Sequence, residues 1–120
     1  MSSNPLHDIA IIATHNTRQA RHLAGESDMS LIMQALRESG QLDNTVIVLW
    51  SDHGWHLGEK LHWRKFALWE EATHNLLMFA GHGIQPARRC DQPVRLIDIY
   101  PTLLELCGLP ANARTEGLSL

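Results

Sequence analysis

Thr45-Val46-Ile47-Val48-Leu49-Trp50 is an uninterrupted β-branched and apolar run, and it limits the folds open to this chain more than any other stretch. Branched side chains are stiff, and they pack well on a pleated surface, so the run reads as a strand. It does not alternate apolar with polar residues, so neither face is expected to meet water. A strand covered on both faces needs layers on both sides, and the flanking sequence offers helices. From about Asp28, the residues Met29, Leu31, Ile32, Met33, Ala35 and Leu36 recur at roughly helical spacing, with Gly40 placed to cap a helix ending near Ser39. Downstream, Asp98 stands ready to cap a helix whose apolar face is Ile99, Leu103, Leu104, Leu106 and Cys107, stopped by Gly108 and Pro110. Pro101 falls in its first turn, where a missing N–H costs little. A second strand is predicted over Leu76-Leu77-Met78-Phe79-Ala80, ended by Gly81-His82-Gly83, and a short helix over residues 66–72. This order of elements predicts an α/β fold, a sheet with packed helices.

The 120 residues suffice for one domain with a core. A 44% apolar and 19% charged composition excludes a disordered chain. The formal net charge of -3 supplies no basic field, which argues against nucleic acid and against anionic membranes as partners. No apolar run approaches the roughly 20 residues of a spanning helix. The short apolar patch at residues 9–12 follows His7 and Asp8 rather than a basic start, so no signal peptide is read there and the chain is expected to be soluble. Two cysteines, Cys90 and Cys107, are too few for a disulfide framework.

After Trp50 the periodicity disappears, and residues 51–64 fill with His, Gly, Trp, Asp and Glu, the composition of an ordered functional loop. Ligands of open α/β sheets bind beyond the carboxyl ends of the strands, where Ser51-Asp52-His53-Gly54 stands. Asp52 offers an oxygen donor and His53 a nitrogen donor, and Gly54 would let the backbone turn sharply behind them. Metal ligation is the functional reading. The plainer one makes Asp52 a turn cap and His53 a loop histidine with one backbone hydrogen bond.

The wider segment tips the balance. Ser51-Asp52-His53-Gly54-Trp55-His56-Leu57-Gly58-Glu59-Lys60, then His62-Trp63-Arg64-Lys65-Phe66 and Trp69-Glu70-Glu71-Ala72-Thr73, closely resembles the C-terminal signature of the sulfatases, within the alkaline phosphatase-like superfamily. The branch most resembled is the iduronate-sulfatase-like one. The likeness runs on through Leu42-Asp43-Asn44-Thr45-Val46-Ile47-Val48, Leu96-Ile97-Asp98-Ile99-Tyr100-Pro101-Thr102-Leu103-Leu104 and Glu116-Gly117-Leu118-Ser119-Leu120, covering residues 35–120 and leaving residues 1–27 poorly matched. An ordered signature of this length is far more specific than any tetrapeptide.

The resemblance implies the C-terminal portion of a sulfatase fold, one partial domain over residues 1–120, and a sulfate ester as substrate, with a sugar ester as one option. It implies that Asp52 and His53 ligate a divalent metal, usually Ca²⁺ in this family, and that Lys65 contacts a sulfate oxygen as a point charge. Ca²⁺ prefers oxygen donors while imidazole suits Mn²⁺ or Zn²⁺ better, so the ion's identity stays open, and His53 has the alternative of touching the sulfate itself. Trp55 matches a position that lines the substrate pocket, with a packing tryptophan as the other reading. Without the resemblance Lys65 would be a solvated surface lysine. His56 and His62 carry little weight, and Arg64 is expected to pair with Glu59 or Glu70.

Sulfatases attack with a formylglycine made from the Cys or Ser of a Cys/Ser-x-Pro-x-Arg motif, and no such motif occurs in these residues. Cys90 and Cys107 are each followed by proline one position late, and Ser3-Asn4-Pro5-Leu6-His7 ends in histidine rather than arginine. The nucleophile and further acidic ligands are therefore expected from an N-terminal half of the sulfatase that this sequence lacks. A non-catalytic remnant or interaction module on the same scaffold is the competing reading, and a related phosphatase or phosphodiesterase is the third. Where relatives carry a valine-proline pair before the second strand, this chain has Asn75-Leu76.

Overall fold

The run that dominates the sequence becomes the middle strand of a three-stranded sheet. The computed structural model describes residues 8–14 and 26–120. Strand β1 (Asp8–Thr14) lies parallel to β2 (Thr45–Ser51), in register from Asp8 opposite Thr45 to Thr14 opposite Ser51. On the other side of β2 the sheet is completed by an antiparallel strand, Leu77–Gly81, the fifth in chain order and labelled β5. Helix α1 (Glu26–Glu38) connects β1 to β2, the arrangement a parallel pair requires.

Helix α1 ends as the sequence predicts. Gly40 adopts φ 71, the N–H of Gln41 donates to the Leu36 carbonyl and that of Gly40 to the Arg37 carbonyl, which together form a Schellman cap. A 3₁₀ turn over Leu42–Asn44 then delivers the chain into β2. Thr45, Val46, Ile47, Val48 and Ser51 are buried, as expected of a strand without alternation.

Alternate residues of β2 meet helix α3 (Ile99–Leu106). Val46 and Val48 form the core with Leu103 and Cys107, and Trp50, Leu77, Phe79, Ile84, Ile99 and Leu106 close round it. The cross-strand partners Val48 with Phe79 and Trp50 with Leu77 set that face of the sheet. Fully burying one such aliphatic side chain is worth about 1.5–3 kcal/mol, so this small cluster carries much of the segment's own cohesion. Cys107 is buried and Cys90 exposed, both as free thiols, and burial pushes the Cys107 thiol up.

Asp98 works differently from the expected helix cap. A 3₁₀ turn over Leu96–Asp98 runs straight into α3, and the Asp98 carboxylate reaches backward to the Arg95 N–H (2.9 Å) and guanidinium Nη2 (3.1 Å) and sideways to the Leu118 N–H (3.0 Å). It therefore ties the end of the chain to the start of α3. The N–H groups of Leu118 and Arg95, with the Arg95 side chain, hold this buried carboxyl below the usual aspartate range.

The predicted helix at residues 66–72 is only the single turn α2 (Glu70–Thr73), and the second strand begins at Leu77 rather than Leu76. Leu76 still presents its carbonyl to the Ser51 N–H at 3.0 Å, so the pairing reaches the end of β2 although Asn75-Leu76 replaces the pair expected there. No helix among the described residues is long and apolar enough to cross a membrane. The near match to the nucleophile motif, residues 3–7, lies outside the described residues.

Candidate metal and sulfate site

Beyond Ser51 the chain leaves the sheet at the carboxyl end of β2, and local hydrogen bonds shape the loop. The buried Ser51 hydroxyl donates to the His53 carbonyl at 2.7 Å, folding the backbone of the next two residues back on the strand end. The exposed Asp52 carboxylate and the His53 imidazole then approach each other, Oδ2 to Nε2 at 3.6 Å. Nδ1 of His53 stands 2.7 Å from the Gly54 carbonyl. A carbonyl only accepts, so Nδ1 carries the proton, and in the neutral ring Nε2 presents its lone pair on the Asp52 side.

Gly54 is needed for a reason other than the sharp turn expected of it. Its φ is not in the left-handed region; instead its N–H donates to the Ala72 carbonyl at 2.8 Å, and a Cβ there would overlap the Glu71 carbonyl oxygen. The strand end thus sits directly on α2. Trp55, half-buried, lies with its ring centroid 6.0 Å from that of His53 at 35°.

The next residues form an arm that returns to α2. Strands β3 (His56–Leu57) and β4 (Trp63–Arg64) pair antiparallel, and the connecting turn is tight, with Lys60 at φ 53 and Leu61 at φ 56. Lys60 donates to Glu71 of α2 and sets its Nζ 5.4 Å from the Trp69 ring centroid. That hydrogen bond, with the backbone, holds the Glu71 carboxyl below the usual range. His56, wholly buried, meets His62 (4.9 Å between centroids) and Trp69 (5.4 Å) edge to face. Lys65 follows β4 directly and has its Nζ 5.8 Å from the Phe66 ring centroid; among the described residues it has no ion-pair partner. Arg64 does not take the expected partner either: Glu70 pairs with His74 at 2.7 Å, and Glu59 accepts from the Leu57 N–H. The packing of His56 and the Lys60–Glu71 pair are features that sequence reasoning misses. The Lys60–Glu71 pair joins charges eleven residues apart, and the His56 ring packs on His62 and Trp69, contacts that no periodicity exposes.

Two ligand atoms about 2.1–2.4 Å from one ion, at right angles or somewhat wider, lie about 3–4 Å apart. The Asp52 and His53 atoms fit that separation. A hard cation such as Ca²⁺ asks for six to eight oxygens, and no group of three or more His, Cys, Asp or Glu among the described residues is placed to hold an ion. The pair therefore suits part of a ligand set.

A family model described as sulfatase matches residues 25–109. The chain belongs to the sulfatase family. A sulfatase from Formosa agariphila is 50% identical over 93 residues, which are 78% of this chain and 18% of that protein. Among solved structures, the phosphonate monoester hydrolase from Silicibacter pomeroyi aligns with a TM-score of 0.71 at 33% identity, over 77% of this chain and 18% of that one. An enzyme solved with its substrate D-glucosamine-2-N,6-O-disulfate aligns at 0.63 and 29% identity, over 82% and 20%. This sulfatase chain thus spans about a fifth of the length of the proteins it matches, and its sheet and helices are part of their shared α/β fold.

Proposed function

We propose that this chain is the part of a sulfuric ester hydrolase that contributes Asp52 and His53 as metal ligands, Lys65 as a sulfate contact and Trp55 as a wall of the substrate pocket. The observation that carries the reading is the 3.6 Å approach of Asp52 Oδ2 to His53 Nε2 at the carboxyl end of β2. Membership of the sulfatase family supports sulfate esters as the substrate class. The disulfated glucosamine bound by one structural neighbour supports a sugar ester within that class. The string from Ser51 to Phe66 is our ground for the finer assignment, the iduronate-sulfatase-like branch.

On this reading a bound divalent ion, Ca²⁺ by family habit, would polarise the sulfate oxygens. Asp52 would supply a negative oxygen to it. His53 would supply Nε2, its ring fixed by the Gly54 carbonyl, as ligating histidines are commonly fixed through their other nitrogen. Lys65 would hold a sulfate oxygen as negative charge redistributes. The formylglycine nucleophile and the remaining acidic ligands would come from a portion of the protein outside these residues.

The test is the activity of the longer protein that carries this segment. It should hydrolyse a chromogenic sulfate ester, lose activity on chelation and regain it with divalent metal, and Asp52→Asn should lower the activity and raise the metal concentration needed to restore it. Turnover of the sulfate ester that chelation and Asp52→Asn leave untouched would overturn the assignment. The likeness to a phosphonate monoester hydrolase favours one second reading, a related phosphorus esterase. Faster turnover of an aryl phosphonate monoester than of the matched sulfate would select it.

A further inference from the structure

The two halves of the candidate site meet the same short helix. From one side, Gly54 seats the Asp52–His53 corner on α2 through the Ala72 carbonyl, in contact too close for any side chain. From the other, the β3–β4 arm reaches α2 through Lys60, which is bound to Glu71 and lies over Trp69. His56 and His62 fill the space between arm and helix by packing their edges on the Trp69 ring, at 5.4 and 5.6 Å.

The turn of the arm needs this hold. Lys60 and Leu61 both occupy the left-handed region, which non-glycine residues keep only where their surroundings over-determine them. Leu61 is almost wholly exposed and holds nothing in place. Local hydrogen bonds, such as those from the Leu57 N–H to the Glu59 carboxylate and from the His62 N–H to the Glu59 carbonyl, close the turn on itself, and the side-chain hydrogen bond of Lys60 to Glu71 ties it to α2. Lys65 emerges from the same arm one residue after β4, so the position of the arm is the position of Lys65.

Resting on the sulfatase reading, we propose that Glu71 is a positioning residue for sulfate binding: by holding Lys60 it sets the arm that carries Lys65 relative to the Asp52–His53 corner, which the backbone of the same helix supports. Glu71 itself touches neither metal nor substrate in this role. Its second carboxylate oxygen is buried without a hydrogen bond among the described residues, so the hydrogen bonds that hold the side chain there are the one from Lys60 and one from its own backbone.

The experiment is a kinetic double-mutant cycle in the longer, active protein, using a chromogenic sulfate ester. Glu71→Gln keeps the shape and removes the charge; it should raise KM about tenfold, the scale of one hydrogen bond to a charged group, with a smaller change in kcat. In a Lys65→Ala background the same substitution should have almost no further effect, because the residue it positions is already gone. Lys60→Met, which removes the contact from the other end, should reproduce the phenotype and serves if the Glu71 variant folds poorly. A purely structural Glu71 would lower Tm and act additively with Lys65→Ala, which overturns the inference. A raised KM for Lys65→Ala with normal kinetics for Glu71→Gln also overturns it while leaving the sulfatase reading intact. Unchanged kinetics for Lys65→Ala would overturn this inference together with the Lys65 contact of the proposed site, while the Asp52–His53 assignment keeps its own test by chelation and Asp52→Asn.

Discussion

Nε2 of His53 faces Oδ2 of Asp52 across 3.6 Å while Nδ1 of the same ring is committed to the Gly54 carbonyl, so ring orientation and tautomer are both set by the backbone of the next residue. An imidazole held this way loses little freedom on taking up an ion. In the longer protein, Asp52→Asn and His53→Ala should each weaken divalent-ion binding by on the order of 10-fold or more, since disturbing even a ligand's supporting partner costs about 10–100-fold. Calorimetric titration with Ca²⁺ and Mn²⁺ measures this directly, and unchanged affinity in both variants would remove the pair from the metal site.

Lys65→Ala should lower kcat/KM of the longer protein toward sulfate esters by about 10–100-fold, the range for losing one hydrogen bond to a charged group. A surface lysine would give less than about a twofold change.

The chain of 120 residues, purified alone, should not turn over aryl or sugar sulfates. Catalytic groups act as a set, and a subset keeps little of the rate. A metal-dependent hydrolysis that survives mutation of Ser3, Cys90 and Cys107 would instead mean that Asp52 and His53 activate metal-bound water.

Gly54→Ala forces a methyl group into the Glu71 carbonyl, where backbone rather than a flexible side chain must give way. We expect a loss of about 1–3 kcal/mol in chemical denaturation, typical of overpacking. Full stability would mean that α2 can move off the strand end at no cost.

Asp98 makes acid stability a measure of the C-terminal tie. Its carboxyl titrates lower in the folded chain than in the unfolded one, so its contribution is complete above the ordinary aspartate value and is lost as pH falls through the folded one. Denaturation midpoints should decline below about pH 4, and Asp98→Asn should be less stable at neutral pH with a shallower acid decline. Parallel pH curves for both proteins would show that Asp98 carries no such linkage.

The β2 strand, α1 with its glycine cap and α3 were legible because their signals are local: branched residues in a row, apolar spacing of three and four, and a glycine at a helix end. Strand β1 was not legible as a strand, because its apolar core is a patch of four residues, too short to separate from a loop without its parallel partner. The position of the Asp52–His53 corner followed from the strand before it. The arm did not, since β3 and β4 are two residues each and are stabilised by ring packing and the Lys60–Glu71 pair rather than by pattern. The helix expected at residues 66–72 shrank to one turn for the same reason: Trp69 is spent on the histidines and Lys60, and the exposed Phe66 and Leu68 gain nothing from a helical backbone.

The two cysteines give this chain an internal clock for the opening of its sheet. An alkylating reagent under native conditions should mark Cys90 at once, because its thiol is in solvent, and reach Cys107 only when α3 lifts from Val46 and Val48. The slow labelling rate, read by mass spectrometry, then reports the free energy of that opening without any denaturant, and it can be followed as a second segment of the protein, a metal or a sulfate ester is added.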